Sequence, residues 1–151
     1  HHAGRLRNGT MVAAKEGDDL LLFGFDHVEP GGDVAIMESI IDAISVGDFA
    51  VATGGAGVSD IQVKKLKILK PGRIILCPDN DQGGRKALRQ DFELLKLIFG
   101  MDRMYYCMPE GVKDWNDIDR VKGAGHAREY IKSHISRLDL RALVAISLDQ
   151  R

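Results

Sequence analysis

The chain has 151 residues, a net charge of −1, 44% hydrophobic residues and 28% charged residues. A chain of this length fits one domain that buries about 70% of the surface of the unfolded chain. The near-neutral charge excludes a uniformly basic coat for nucleic acid, although it allows a local basic groove beside an acidic centre. Cys77 and Cys107 show no CxxC spacing, and no apolar run approaches the roughly 20 residues of a membrane helix. We therefore expect a soluble, cytoplasmic protein without a membrane partner.

The first 32 residues are predicted to precede the main domain. His1 and His2 have the character of an affinity-tag remnant, so residues 1–2 are set aside. Apolar runs at 11–14 and 20–25 flank a polar turn at 16–19, a pattern that predicts a β-hairpin. The sequence EPGG at 29–32 then forms a connector.

Residues 33–137 alternate between strand and helix patterns. Apolar runs predict strands at 34–37, 49–52, 73–77 and 104–107. Helical spacing predicts helices at 39–46, 59–69 and 82–99. It also predicts a short helix from 115, a break at 123–125, and a further helix that ends at 137. Alternating strands and helices predict an α/β domain with a mostly parallel four-stranded sheet and helices on both faces. Residues 138–151 have helical character and either pack back on the domain or begin a linker.

The stretch RIILCPDNDQGGRKA at 73–87 organises the predicted site. Asp79 and Asp81 directly follow a buried strand, and one residue separates them. While the backbone stays extended their carboxylates point to the same side and Asn80 points away. Two carboxylates held together indicate a divalent cation, whereas an acidic loop with an N-cap aspartate is the simpler alternative.

Further acids follow neighbouring strands. Glu38 ends the first strand of the repeat, Asp42 lies one turn into the next helix, and Asp114 follows the fourth strand. Parallel strands bring these loops to one edge of the sheet, where clustered carboxylates repel one another unless a cation is bound. Oxygen ligands without His or Cys favour Mg²⁺ or Mn²⁺ over zinc. Taken singly, Glu38 is better explained as a helix-start acid favoured by the macrodipole, and only the coincidence of positions favours a metal site.

Phosphate-binding candidates surround these acids. The loop TGGAG at 53–57 follows a strand, so the amides of Gly54 and Gly55 can approach a phosphate, unless the loop is only a tight turn. It matches neither the GxGxxG nor the P-loop pattern. Arg85 and Lys86 lie one helical turn beyond the carboxylates, and Lys113 precedes Asp114, so all three are candidates for phosphate contact.

Taken together, these motifs resemble the TOPRIM domain, which bacterial-type primases, phage primase-helicases, topoisomerases and small nucleases share. MESIIDAIS is similar to the primase segment EGxxD with Ser39 in the Gly position, and CPDNDQGGRKA is similar to DxDxAG with Gly83 in the Ala position. KDWND resembles the phage primase KDANE and places Asp114 on a family acid. The resemblance covers residues 33–119, and it makes residues 3–32 the end of a preceding primase subdomain.

The resemblance implies a catalytic set of Glu38, Asp79 and Asp81. Magnesium or manganese would be held by these three residues and Asp114, with Asp42 as a supporting acid. It further implies a DNA primase that joins ribonucleoside triphosphates on a single-stranded DNA template, with a replicative helicase in cis or in trans. The alternatives are a TOPRIM nuclease with the same metal site and a non-catalytic module that binds nucleic acid.

Overall fold

The computed structural model describes residues 5–7, 10–12 and 21–148, the first two ranges by their backbone only. Strands β1 (Arg5–Arg7) and β2 (Thr10–Val12) form an antiparallel hairpin. A hairpin is present, but its position differs from the prediction: residues 11–12 of the predicted first run pair with 5–7, and the described residues of the second run, 21–25, form no strand of a hairpin. The predicted turn at 16–19 lies outside the described residues.

The reason that the described residues 21–25 do not form a strand is visible at Gly24. Gly24 has a φ of 86°, in the left-handed region, and a Cβ there would lie 2.5 Å from the Ala50 carbonyl oxygen. The chain makes a single antiparallel bridge, Phe23 to Ala52, and then turns into a 3-10 helix at Phe25–His27. The apolar residues of this run cover the edge of the sheet: Leu22 is buried in the core.

One sheet forms the centre of the domain. Its strands are β3 (Asp33–Met37), β4 (Ala50–Ala52), β5 (Arg73–Leu76), β6 (Met104–Tyr106) and β7 (Ser136–Arg137), in the order β4-β3-β5-β6-β7. The first four are parallel, as predicted, and β7 adds an antiparallel edge that was not predicted.

Within residues 21–148, six α-helices connect and cover the strands: α1 (Ile40–Val46), α2 (Asp60–Leu69), α3 (Gln82–Phe99), α4 (Trp115–Lys122), α5 (His126–Ser133) and α6 (Leu140–Leu148). The predicted break after α4 is confirmed by Gly123 and Gly125, with φ values of 108° and 89°. The prediction that the last helix of the repeat reaches 137 is wrong, because α5 ends at Ser133 and the chain pairs with β6 instead.

The alternating faces of the strands explain why helices cover both sides. Val34, Ile36, Ile74 and Leu76 point to one core, which α2, α3 and α6 complete. The alternate positions, including Ala35, Met37 and Ile75, point to a second core completed by α1, α4 and α5. The two-sided α/β prediction is confirmed. The C-terminal segment packs back on the domain, since Leu138 and Leu143 are buried in the first core.

The strand register places the predicted acids at one edge. Met37 pairs with Ala52, and Ile36 pairs with Leu76, so β3, β4 and β5 end at similar heights. The loops that follow these parallel strands therefore emerge side by side. Among the described residues, no helix is long and apolar enough to cross a membrane.

Candidate metal centre

The centre of the site is a pair of carboxyl groups from α1 and from the turn after β5. Asp42 is 2% exposed, and its carboxylate accepts a hydrogen bond from the backbone N–H of Asn116 at 2.8 Å. A side-chain hydrogen bond also joins Asp42 to Asp79. Burial raises the pKa of Asp42 from 3.8 to about 7, and the charges of Asp79 and Asp114 add to the increase. A carboxyl group that keeps its proton near neutral pH can donate that hydrogen bond to the second carboxylate.

Asp79 is surrounded by negative charge. Burial and the charges of Asp114, Asp81 and Glu38 raise its pKa, the hydrogen bond from Asp42 lowers it, and the net result is a rise from 3.8 to about 6. The other three acids predicted as metal ligands are thus close enough to act electrostatically on Asp79. Oxygen donors that repel one another fit a divalent cation, because the cation removes the repulsion.

Asp81 and Asp114 also serve as helix caps. One Asp81 carboxylate oxygen accepts the N–H of Gly84 at 2.7 Å at the start of α3. Asp114 accepts the N–H of Asp117 at 2.9 Å at the start of α4. The simpler reading of Asp81 as an N-cap is therefore confirmed, and it fixes the carboxylate at the mouth of the site.

Glu38 and the glycine loop lie on the other side of Asp79. The Glu38 side chain is exposed at the end of β3, while its backbone carbonyl accepts the N–H of Gly54 at 2.9 Å. The Gly55 N–H points to the Thr53 hydroxyl at 3.5 Å. The Gly54 N–H thus has its partner at the end of β3, and the Gly55 N–H has its partner within the turn. Both bonds favour the tight-turn alternative, and the phosphate role of the two glycines stays a prediction.

Sequence reasoning missed Asp91 on α3. This residue is 9% exposed and accepts the N–H of Val58 at 2.9 Å, so it anchors the far end of the glycine loop. Burial raises its pKa to about 6, the Val58 hydrogen bond lowers it, and the Glu38 charge raises it. One feature of the sequence could have indicated its role: Asp91 lies beside Phe92, at the apolar stripe of α3. An acid at such a position is buried, and a buried charge requires a hydrogen-bond or charge partner.

The sequence matches the model of the family described as Toprim-like over residues 35–119, more than half of the chain. The chain belongs to the Toprim-like family. The matched range contains every acid of the predicted metal set as well as the supporting Asp42.

Solved structures with this Toprim-like fold include three primase domains. A DNA primase domain from Pseudomonas aeruginosa is 27% identical, with a TM-score of 0.59, covering 76% of this chain and 38% of that one. The primase fragment of the bacteriophage T7 primase-helicase is 20% identical (TM-score 0.60; 75% and 49% covered). A DnaG primase catalytic domain bound to single-stranded DNA is 22% identical (TM-score 0.58; 80% and 38% covered).

The Toprim-like chain thus spans less than half the length of these primase structures, at 38%, 49% and 38%. The search of curated proteins finds no match.

The remaining candidates lie on the rim of the Toprim-like site. Lys86 is exposed on α3, and the Lys113 ammonium lies 3.8 Å from an Asp81 carboxylate oxygen. Arg85 donates to the Asn80 side chain at 3.0 Å. Trp115, in contrast, is fully buried and donates its indole N–H to the Cys77 carbonyl at 3.1 Å. The burial of Trp115 excludes stacking of its ring on a nucleic-acid base.

No group of three or more His, Cys, Asp or Glu side chains among residues 21–148 already stands at metal-binding distances. The ligand set of Glu38, Asp79, Asp81 and Asp114 therefore stays a prediction. The structure supports it through the proximity and the shared electrostatics of these groups.

We expect the metal-free domain to lose stability as the pH rises from about 4 to 7. The pKa values of Asp42, Asp79 and Asp91 lie above 3.8 in the folded state, at about 7, 6 and 6. The folded state therefore binds more protons than the unfolded state in this window, and the free energy of unfolding falls as the pH rises. After a discount for solvent screening, we expect a decrease on the order of 3 kcal/mol.

Urea unfolding in EDTA at several pH values measures this decrease, and saturating Mg²⁺ should flatten it. Asp42→Asn should remove a large share of the dependence, since Asp42 has the highest pKa of the three. A free energy of unfolding that rises with pH across the same window would contradict the electrostatic description of the site.

Proposed function

We propose that this chain is the metal-dependent catalytic domain of a DNA primase, which synthesises RNA primers on single-stranded DNA. The observation that carries the proposal is that Asp79 lies within the electrostatic reach of Glu38, Asp81 and Asp114 and is hydrogen-bonded to Asp42. The likeness to the Pseudomonas aeruginosa primase domain supports primase chemistry. The DnaG structure bound to single-stranded DNA supports the choice of template, and the T7 fragment supports a helicase as partner.

Each residue has a proposed task in that reaction. Glu38, Asp79, Asp81 and Asp114 would hold Mg²⁺ or Mn²⁺, and the bound cation would supply a lower pKa for the attacking 3′-hydroxyl and positive charge for the pyrophosphate leaving group. The hydroxyl oxygen bonds to the α-phosphorus of a ribonucleoside triphosphate as the bond to pyrophosphate breaks. The exposed Glu38 carboxylate takes the hydroxyl proton, and Asp42 orients Asp79 through their hydrogen bond.

The phosphates of the incoming nucleotide are proposed to meet the cations on the rim. Arg85, Lys86 and Lys113 lie on the two segments that border Asp81, the start of α3 and the loop before α4. The glycine loop with Gly54 and Gly55 closes the opposite side, next to Glu38.

Primer synthesis is the direct test. The protein is incubated with single-stranded DNA, Mg²⁺ and labelled ribonucleotides, and short RNA products are resolved on a gel. We expect products from the unaltered protein and a loss of at least about 100-fold in Glu38→Gln, because even outer-shell changes at metal sites cost 10 to 100-fold. Primer yield that is unchanged in Glu38→Gln would reject the proposal.

Hydrolysis of phosphodiesters is the second candidate, because the same acidic centre is equally able to activate a water molecule. This reaction needs no nucleoside triphosphate. Mg²⁺-dependent nicking of DNA or RNA in the absence of nucleotides, lost in Asp81→Ala, would favour a nuclease. If calorimetry detects no Mg²⁺ or Mn²⁺ binding at millimolar concentration, a non-catalytic nucleic-acid-binding module is favoured.

A further inference from the structure

Asn80, the residue between the two aspartates, faces away from the acidic centre and contacts the loop at 108–113. Its backbone N–H donates to the Lys113 carbonyl at 2.7 Å, and its side-chain N–H donates to the Pro109 carbonyl at 3.0 Å. Its side-chain oxygen accepts from the Arg85 guanidinium at 3.0 Å. The backbone N–H, the side-chain amide nitrogen and the side-chain oxygen of Asn80 therefore each have a partner, and each bond connects the turn after β5 to a neighbouring segment.

The loop at 108–113 connects β6 to α4 and carries one of the rim cations at its end. The two hydrogen bonds from Asn80 hold this loop at Pro109 and at Lys113, four residues apart. Pro109 is buried, which anchors the first of these points. Lys113 is therefore attached through its own carbonyl to the turn that bears the predicted metal ligands.

This attachment decides where the Lys113 ammonium lies. The Lys113 side chain is 67% exposed, and its ammonium lies 3.8 Å from an Asp81 oxygen, too far for a hydrogen bond. An exposed lysine gains little from such an ion pair, and its side-chain entropy opposes a single position. The position of its backbone thus determines whether the ammonium stays near the acidic centre.

We propose that Asn80 is a positioning residue: by fastening the loop at 108–113 to the turn of Asp79 and Asp81, it holds Lys113 where it contacts the phosphates of a nucleoside triphosphate. The inference rests on the proposed function, because it requires a bound triphosphate. Asn80 does not contact the metal or the nucleotide in this scheme and acts through Lys113. The Asn80 side chain also contacts Arg85, which borders the same site from α3.

A thermodynamic cycle separates this role from a purely structural one. Asn80→Ala removes both side-chain hydrogen bonds and keeps the backbone N–H bond to the Lys113 carbonyl, so it tests the part of the fastening that the side chain supplies through Pro109 and Arg85. Asn80→Asp keeps an acceptor for Arg85 and replaces the donor to Pro109 with an oxygen. If Asn80 acts through Lys113, its effect on nucleotide affinity disappears once Lys113 is replaced by Ala. A general loss of structure would persist in that background.

The measurement is calorimetric binding of Mg·ATP to this chain, with binding of Mg²⁺ alone as a reference. We expect Asn80→Ala, Asn80→Asp and Lys113→Ala each to weaken Mg·ATP binding about tenfold. The double variant Asn80→Ala with Lys113→Ala should bind no more weakly than Lys113→Ala, and the affinity for Mg²⁺ alone should change less than about twofold. In a Lys64→Ala background, on the exposed face of α2, Asn80→Ala should keep its full effect.

The outcomes distinguish the two levels of the proposal. If the effects of Asn80→Ala and Lys113→Ala multiply to about a hundredfold, or if Asn80→Ala weakens Mg²⁺ binding equally, the positioning role is rejected while the proposed function stands. If the unaltered protein binds Mg²⁺ but not Mg·ATP, the proposed function is rejected and the inference with it. Asn80→Asp guards against misfolding, since it conserves the size of the side chain.

Discussion

Asp79→Asn is expected to abolish Mg²⁺-dependent nucleotidyl transfer while it stabilises the metal-free protein. The amide cannot supply a carboxylate ligand, and the loss of activity should be at least about 100-fold. The same change removes the charge that Asp114, Asp81 and Glu38 repel in the partly buried site. After allowance for solvent screening, we expect the free energy of unfolding at pH 7 in EDTA to rise by about 1 kcal/mol.

Primer synthesis and urea unfolding measure the two effects on the same protein. Asp48→Asn is the matched control, because Asp48 is an exposed acid that pairs with Arg128 away from the acidic centre. It should change neither activity nor stability appreciably. If Asp79→Asn keeps its activity, Asp79 does not belong to the catalytic set. If Asp79→Asn is less stable than the unaltered protein in EDTA, the repulsion between Asp79 and the neighbouring carboxylates is contradicted.

Gly84→Ala is expected to disrupt the start of α3 and with it the acidic centre. A Cβ at position 84 would lie 2.0 Å from the Asp79 carbonyl oxygen and 2.9 Å from its carbonyl carbon. Both are backbone atoms that no side-chain rotation can move, so α3 must shift away from the turn. We expect a loss of about 3 kcal/mol in the free energy of unfolding, together with loss of Mg²⁺-dependent activity.

Gly83→Ala is the matched control one residue earlier. The contact found for a Cβ at this position is an Asp81 carboxylate oxygen at 3.6 Å, an ordinary van der Waals distance. Because alanine favours the helix over glycine, we expect a gain of up to about 1 kcal/mol and unchanged activity. Thermal unfolding and primer synthesis test both variants. Equal effects of the two substitutions would show that helix propensity, and not the close approach to Asp79, governs this turn.

The residue that forms a hydrogen bond with Asp79 is not the one that the sequence favoured as its partner. The order of motifs pairs Asp79 with Glu38 across the sheet, and the two do influence each other electrostatically. The direct hydrogen-bond partner is Asp42, which sequence reasoning placed in a supporting role. Asp42 reaches Asp79 because α1 packs against α4, and the Asn116 N–H holds its carboxylate there.

Local chain chemistry was sufficient to predict the repeating part of the fold. Apolar runs of three to five residues between amphipathic helices indicate buried parallel strands, and that topology alone brings the ends of β3, β4 and β5 to one edge. Ser59 with Gln62 is a capping box that begins α2 at the predicted place. The hairpin and β7 were not predicted correctly, because short strands are decided by the pairing partner that tertiary packing offers.

The sequence by itself therefore determined the fold class, the family resemblance and the edge of the sheet at which the acids lie, because periodicity and motif spacing are local properties. Only the tertiary structure decided which acids are buried, which cap helices and which share a proton. Those roles depend on contacts between segments distant in the chain, such as Asp42 with Asn116, Asp91 with Val58 and Asn80 with Pro109. Burial and hydrogen bonding across such contacts set the pKa of each carboxyl group, and the spacing of residues along the chain carries no information on them.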